Sequence, residues 1–238
     1  MSPRIVSLVP SLTEAVAASA PGLLVGATDW CTHPADLDVV RVKGTKNPDV
    51  PRILALGPDL VLANEEENRP ADLDELRAAG LNVLVTHIRT LPQALTELER
   101  VLVEACGLPR PHWLDEAARA WAEPPALAPC RAIVPIWRRP WMVLGRETFA
   151  GDLLARLGVR NVYADADEPY PRIALDERRD ADLVVLPDEP YRFTADDGPE
   201  AFPGTPAALV DGRMLTWYGP SLADAPARLS AELRAAFR

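Results

Sequence analysis

The residue types best suited to chemistry lie in one short stretch, VGATDWCTHPAD, at residues 25–36. It places Trp30, Cys31 and His33 within four positions, in a chain that has only three cysteines and three histidines. A thiol near an imidazole suits a metal site, a redox centre or a catalytic nucleophile. A tryptophan beside them suits a loop that contacts a ligand. These four interpretations stay open at the level of the stretch itself.

Motifs for common catalytic and nucleotide-binding sites do not occur in the sequence. There is no GxxxxGK[ST], GxGxxG, GxSxG, HExxH or CxxC pattern. A zinc-type ligand set of Cys31, His33, His87 and one of residues 65–67 has a spacing that matches no closed structural site. These residue types still leave one alternative function open, a cytoplasmic metal-handling protein or hydrolase-like enzyme that uses Cys31, His33, His87 and Glu66.

Composition narrows the possible partners and compartments. The 238 residues carry a net charge of −10 with no block of lysine or arginine, which argues against nucleic acid. Apolar runs fall far below the roughly 20 residues that span a bilayer, so no membrane insertion is expected. The N-terminus, MSPRIVSLVPSLTEAV, has no secretory-signal pattern. We expect a cytoplasmic protein as written, or a periplasmic or otherwise extracytoplasmic one if a leader was removed.

Short apolar, β-branched runs alternate with helical patterns along the chain, which predicts an α/β fold of mainly parallel sheets flanked by helices. Helices are predicted at 11–19 with Ser11 as N-cap, at 51–57 ending at Gly57, and at 69–80 ending at Gly80. Strands are predicted at 4–10, 23–28, 60–64, 82–87, 131–137, 162–165, 183–187 and 214–218.

The second half of the chain repeats the pattern of the first. RIVSLVPS pairs with RAIVPIWR, and three further strand regions pair in the same order, about 120 to 140 residues apart. The repeat predicts two similar lobes at 1–90 and 130–238. A helical linker at 91–129, with an apolar stripe that begins at Leu91, joins them. We expect a ligand cleft between the lobes.

Aromatic residues concentrate where ligands bind open α/β sheets, at the carboxyl ends of strands. Eight of the 14 aromatic residues lie at or just after the ends of predicted strands. Arginines interleave with them, and Arg138 and Arg172 are candidates to reach polar groups of a ligand. The pattern predicts a flat-walled ligand cleft. The eight aromatic residues are Trp30, Trp137, Trp141, Tyr170, Tyr191, Phe193, Trp217 and Tyr218.

Several segments together resemble a known family. RIVSLVPSLTE, LVGATDWCTHP, KGTKNPDVPRILALGPDLVLANEEEN and LNVLVTHIRTLPQAL in the first half are similar to the cobalamin- and siderophore-binding proteins of ABC transporters. In the second half, VLGRETFAGDLLARLGVRNVYAD, YPRIALDERRDADLVVL and WYGPSL are also similar. The chain thus resembles the class III, or helical-backbone, periplasmic binding proteins, with the cobalamin-binding branch as the nearest likeness.

The resemblance implies a non-enzymatic protein without an intrinsic cofactor. It would bind a metal chelate, a cobalamin-like corrinoid or a ferric siderophore, between aromatic rings. It would act as a transport substrate-binding protein with an ABC permease as partner, or as a cytoplasmic carrier or sensor. One acid per lobe would dock a permease, with Glu66 or Glu67 and Glu200 as candidates. The positions carried over from the family are Pro10, Ser11, Trp30, Cys31, Thr45, Lys46, Asn47, Trp137, Tyr170, Trp217 and Tyr218.

Overall fold

The structure, a computed structural model, describes residues 2–237 and contains two α/β units. The predicted α/β class is confirmed, whereas the predicted boundaries of lobes and linker stay a prediction. None of the helices in residues 2–237 combines the length and apolar character that crossing a bilayer requires. The first unit contains the chain through Ile88, Gln93–Asp115 and Tyr218–Pro220; the second contains Arg89–Pro92, Glu116–Trp217 and the chain from Ser221 onward.

The first unit is built on a parallel sheet whose central strands are buried. Its strands are β1 (Ile5–Ser7), β2 (Leu24–Ala27), β3 (Val40–Arg41), β6 (Leu60–Asn64) and β7 (Val83–Thr86), with a separate antiparallel hairpin of β4 (Lys43–Gly44) and β5 (Asn47–Pro48). The sheet order is β3-β2-β1-β6-β7, and every pairing is parallel. All residues of β1 and β6 are buried, as expected for strands covered on both faces.

Helices begin and end at recognisable signals in this half of the chain. Helix α1 starts at Pro10, whose missing N–H suits the first helical turn, so the prediction of Ser11 as N-cap is wrong and Val9 precedes the helix. Asp49 caps α2, and Gly57 ends it in the left-handed conformation at φ 55°, as predicted. The helical segments are α1 (Pro10–Ser19), α2 (Val50–Leu56), α3 (Pro70–Ala78), α4 (Leu91–Glu99), a π-helical turn (Arg100–Ala105) and α5 (His112–Ala122).

The second unit repeats the strand order of the first. Its parallel sheet has the order β11-β8-β12-β13, which matches β2-β1-β6-β7, and β9 and β10 form an antiparallel pair. The strands are β8 (Cys130–Ile133), β9 (Pro135–Trp137), β10 (Met142–Val143), β11 (Val159–Asn161), β12 (Leu183–Pro187) and β13 (Ala207–Val210). The helices are α6 (Phe149–Arg156), α7 (Gly212–Thr216) and α8 (Ala225–Ala235).

Two strands predicted in the second half are wrong. Residues 162–165 follow β11 rather than forming a strand, and residues 214–218 overlap α7. Asp211 caps α7 by accepting a hydrogen bond from the Met214 amide at 3.2 Å, and β13 at 207–210 already occupies the fourth position in the sheet. The predicted strand 131–137 is divided between β8 and β9.

Candidate ligand-binding site

The parallel sheet of the first unit gathers several predicted site residues at one edge. Pro10 follows β1, Trp30 follows β2, Glu66 follows β6 and His87 follows β7. Because parallel strands all point the same way, the loops after their carboxyl ends meet at one edge of the sheet. The first unit therefore presents these loops together.

Trp30 is the most exposed large hydrophobic side chain of this edge, with 66% of its surface accessible. Arg41 holds the loop of Trp30, because its guanidinium donates to the carbonyl oxygens of Thr28 (3.1 Å) and Cys31 (2.9 Å). The indole nitrogen lies 3.4 Å from where a Cβ on Gly44 would stand. The indole therefore lies against the β4–β5 hairpin.

Cys31 is buried and does not present a reactive thiol. Its Sγ accepts a hydrogen bond from Thr13 Oγ1 at 3.0 Å and lies 3.1 Å from Thr28 Oγ1. Burial raises the pKa of the thiol, so the nucleophilic thiolate is disfavoured. A catalytic or ligand-contacting role for Cys31 is therefore not supported by its position.

The histidines do not assemble a metal site with Cys31. His87 Nδ1 lies 2.8 Å from Glu65 Oε2, and His33 Nδ1 lies 3.1 Å from Thr32 Oγ1. Across residues 2–237, no three histidine, cysteine, aspartate or glutamate side chains are grouped so as to hold a metal ion. Cys31 and His87 do not form an oriented nucleophile and base either, because the Cys31 thiol lies against Thr13 and Thr28 whereas His87 is paired with Glu65.

A buried amide network, which the sequence reasoning missed, fixes the loops of this edge. The Asn68 side-chain amide donates to the carbonyl oxygens of Leu8 (3.3 Å) and Thr45 (3.0 Å), and its Oδ1 accepts from the Asn64 amide at 2.9 Å. Asn64 in turn donates to the carbonyl oxygen and hydroxyl of Thr86, each at 3.1 Å. The network ties the loops that follow β1 and β6 to the β4–β5 hairpin and to the last residue of β7.

Charged side chains surround this network. The Lys46 ammonium donates to the carbonyl oxygen of Glu66, and the Glu66 amide donates to Asn64 Oδ1 at 2.9 Å. Glu67 is half-buried, and desolvation raises the pKa of its carboxyl group. Thr45 is buried, whereas Lys46 and Asn47 are exposed. Ser11 is buried inside α1 and Pro10 is half-buried.

In the second unit, five aromatic rings pack around the β9–β10 hairpin and the loop after β12. Trp141 stacks on Phe193 at 6.0 Å and meets Phe202 edge-on at 5.5 Å. Tyr191 lies 4.7 Å from Phe193 and 5.7 Å from Trp137, with distances between ring centroids. Trp137 remains 42% exposed, so it is the ring of this cluster that solvent reaches most.

Arg138 contacts several members of this region and links them. Its guanidinium pairs with Asp197 and with Glu200, the latter at 2.6 Å, and lies 5.1 Å from the centre of the Trp141 ring. Tyr191 also donates its hydroxyl to Asp197 at 2.7 Å. Glu200 accepts from the Gly198 amide as well, and this bond holds the pKa of the Glu200 carboxyl below its usual value.

A cavity of about 680 Å³ lies within the second unit beside β10. Two predicted site residues, Tyr170 and Arg172, belong to its wall. Its volume falls in the range of about 300–1,000 Å³ that is usual for small-molecule sites. The lining residues are Met142, Asp167, Glu168, Tyr170, Pro171 and Arg172.

Trp217 and Tyr218 occupy positions unlike the predicted ones. Both are buried, and they follow α7 instead of ending a strand. The Trp217 indole donates to Glu189 Oε2 at 2.9 Å. Their part in ligand contact stays a prediction.

Comparison with known proteins finds relatives that are named as binding proteins for vitamin B12 or heme. A vitamin B12-binding protein of Vibrio cholerae is 25% identical over 184 residues, which are 73% of this chain and 66%, or just under two thirds, of that protein. The solved structure of the periplasmic vitamin B12-binding protein of Vibrio cholerae matches with a TM-score of 0.73 at 21% identity, over 100% of this chain and 98% of that one. A periplasmic heme-binding protein of Roseiflexus matches with a TM-score of 0.82 at 22% identity, over 100% of both chains. No protein-family profile matches.

The two solved structures are named as periplasmic binding proteins. They give no support to the cytoplasmic location expected from the sequence as written. The comparisons confirm the resemblance to the class III, or helical-backbone, periplasmic binding proteins, with vitamin B12-binding proteins among the relatives of this chain.

Proposed function

We propose that this chain is a non-enzymatic binding protein for a corrinoid-type metal chelate. The observation that carries the proposal is an exposed tryptophan beyond the carboxyl end of a parallel strand in each unit. Trp30 follows β2 in the first unit, and Trp137 ends β9, just beyond β8, in the second. Exposed rings offer a large, rigid surface to a flat macrocycle at low entropic cost.

The names of the relatives support a metal chelate as the ligand. The curated relative is named for vitamin B12, and the solved neighbours are named for vitamin B12 and heme. We infer that the protein acts outside the cytoplasm as the substrate-binding partner of an ABC permease. Glu66 or Glu67 remains a candidate docking acid of the first unit, whereas the pairing of Glu200 with Arg138 makes Glu200 a weaker one.

The alternative, a metal-handling or hydrolase-like protein, is not favoured. It depends on Cys31, whose thiol is enclosed by two threonine hydroxyls and has a raised pKa. It also needs His87 as base or ligand, and His87 is paired with Glu65.

A fluorescence titration with cyanocobalamin tests the proposal. We expect saturable quenching of tryptophan fluorescence, and we expect Trp30→Ala and Trp137→Ala each to weaken binding by about tenfold or more, because each removes a stacking surface. Hemin and a ferric siderophore are titrated in parallel to identify the preferred chelate.

Phe237→Ala is the matched control. Phe237 is an exposed aromatic residue, 52% accessible, that follows α8 rather than a strand of either sheet. Its loss should leave affinity unchanged. The proposal fails if no chelate binds, or if both tryptophan variants bind as tightly as the Phe237→Ala variant.

A further inference from the structure

The cavity of the second unit has an excess of negative charge. Asp167, Glu168 and Arg172 are among its lining residues, and together they carry a net formal charge of −1. Within residues 2–237, none of these three side chains has an ion-pair partner in the protein. All three residues line the cavity and are exposed, so their charges are open to solvent rather than neutralised inside the protein.

Three other arginines of the same unit have partners outside the cavity. Arg138 is paired with Asp197 and Glu200, and Arg179 is paired with Asp165. The Arg178 guanidinium donates to the Leu175 carbonyl oxygen and lies 5.8 Å from the centre of the Phe202 ring. None of these three arginines lines the cavity.

The strand-end edge of the first unit has the same sign. It carries residues 65–67, three consecutive glutamates, and the nearby Lys46 directs its ammonium to the Glu66 carbonyl oxygen. Glu65 pairs with His87, which is charged only when protonated. The negative character is therefore present in each unit taken separately, in a chain whose net charge is −10.

We infer that the cavity beside β10 selects neutral, amide-bearing chelates and rejects anionic ones. This inference rests on the proposed function and specifies its substrate class. Primary amides donate hydrogen bonds to carboxylates such as Asp167 and Glu168, and their carbonyl oxygens accept from Arg172. A carboxylate on the ligand would instead meet like charge, which is repulsive near a protein surface. Corrinoids carry peripheral amides, whereas heme carries two carboxylates.

The test compares cyanocobalamin with its derivative in which one propionamide is hydrolysed to a carboxylate, a change of one charge with little change of shape. We expect the wild-type protein to bind the amide form at least tenfold more tightly than the carboxylate form. In the double variant Asp167→Asn/Glu168→Gln, the difference should fall below threefold. Because salt screens exposed charges, 1 M NaCl should also narrow the difference in the wild-type protein.

Asp176→Asn/Glu177→Gln is the matched control, because it removes the same two charges from an exposed turn of the same unit that does not line the cavity. This variant should keep the wild-type difference. Three results would each overturn the inference while leaving chelate binding intact. The wild-type protein could bind the two forms equally, or it could bind hemin more tightly than cyanocobalamin. The difference between the two forms could also persist in the double variant and in 1 M NaCl. Binding of no chelate at all would instead refute the proposed function, and the inference with it.

Discussion

Trp30 is exposed, and two other residues lie against it or hold its loop. Arg41 donates to the carbonyl oxygens of Thr28 and Cys31, and the indole lies close to Gly44. A large hydrophobic residue that stays exposed has given up the burial energy of its ring, about 1.5–3 kcal/mol for a large apolar side chain. A ligand surface that covers this ring would recover part of that energy.

The cysteines show how far residue types alone can mislead. The proximity of Cys31 and His33 in sequence suggested reactive chemistry, but Thr13, 18 positions earlier, lies against the thiol. Such a contact depends on how α1 packs, which a local motif does not encode. Trp30, by contrast, follows a strand as the sequence predicts and is exposed, and its contact with a ligand stays a prediction.

Cys106 leads to a prediction about alkaline pH. Burial raises its pKa from 9.0 to about 11. At about pH 8 and below, the thiol is largely protonated in both folded and unfolded chains. As pH rises from about 9 to about 11, the unfolded chain loses the proton first, so the free energy of unfolding falls, in total by roughly 2–3 kcal/mol.

The measurement is urea unfolding at pH 8 and pH 10.5 under reducing conditions, for the wild-type protein and Cys106→Ala. Other groups also titrate in this range, so the difference between the two proteins is the informative quantity. The variant should lose less stability than the wild type between the two pH values. An identical loss in both would contradict the raised pKa.

At the scale of elements, side-chain amides join loops that are distant in sequence. Asn68 links the loops after β1 and β6 with the β4–β5 hairpin, and Asn64 links β6 with β7. The predicted strands 60–64 and 183–187 coincide with β6 and β12, because continuous apolar runs identify buried parallel strands. The partners of Asn68 lie 23 and 60 positions away, so no local pattern reveals them.

Asn68→Ala should therefore destabilise the first unit by about 1–3 kcal/mol, because two buried carbonyl oxygens lose a donor and the Asn64 amide loses its acceptor. Urea unfolding measures the change. Asn82→Ala, at an exposed asparagine just before β7, is the control and should stay within about 0.5 kcal/mol of the wild type. A similar small effect for Asn68→Ala would show that the network does not stabilise the loops.

The run MLTWY at 214–218 illustrates a limit of pattern reading. A short apolar segment fits a buried strand or a helix equally well. The capping by Asp211 and the earlier strand at 207–210 determine the outcome. The sequence carried both signals, an aspartate three positions before Met214 and the short apolar run AALV.

At the scale of the whole molecule, the internal repeat was predictable and the distribution of charge was not. Four matched segments predicted two similar halves, and the strand orders β2-β1-β6-β7 and β11-β8-β12-β13 agree with that prediction. The cavity with Asp167 and Glu168 arises from the loop after β11, which the sequence reading had partly assigned to a strand. Loops that follow strands vary independently of the repeat, so only the structure shows which of their charged residues line the same cavity.

Isothermal titration of the wild-type protein with cyanocobalamin tests the central claim most directly, because it requires neither a permease nor a variant. We predict saturable binding of one cyanocobalamin per chain with a Kd of about 1 µM or below, which corresponds to a binding free energy of roughly −8 kcal/mol or more negative. The absence of saturable binding at about 100 µM ligand, with the protein folded as judged by circular dichroism, would contradict the assignment of this chain as a corrinoid-binding protein.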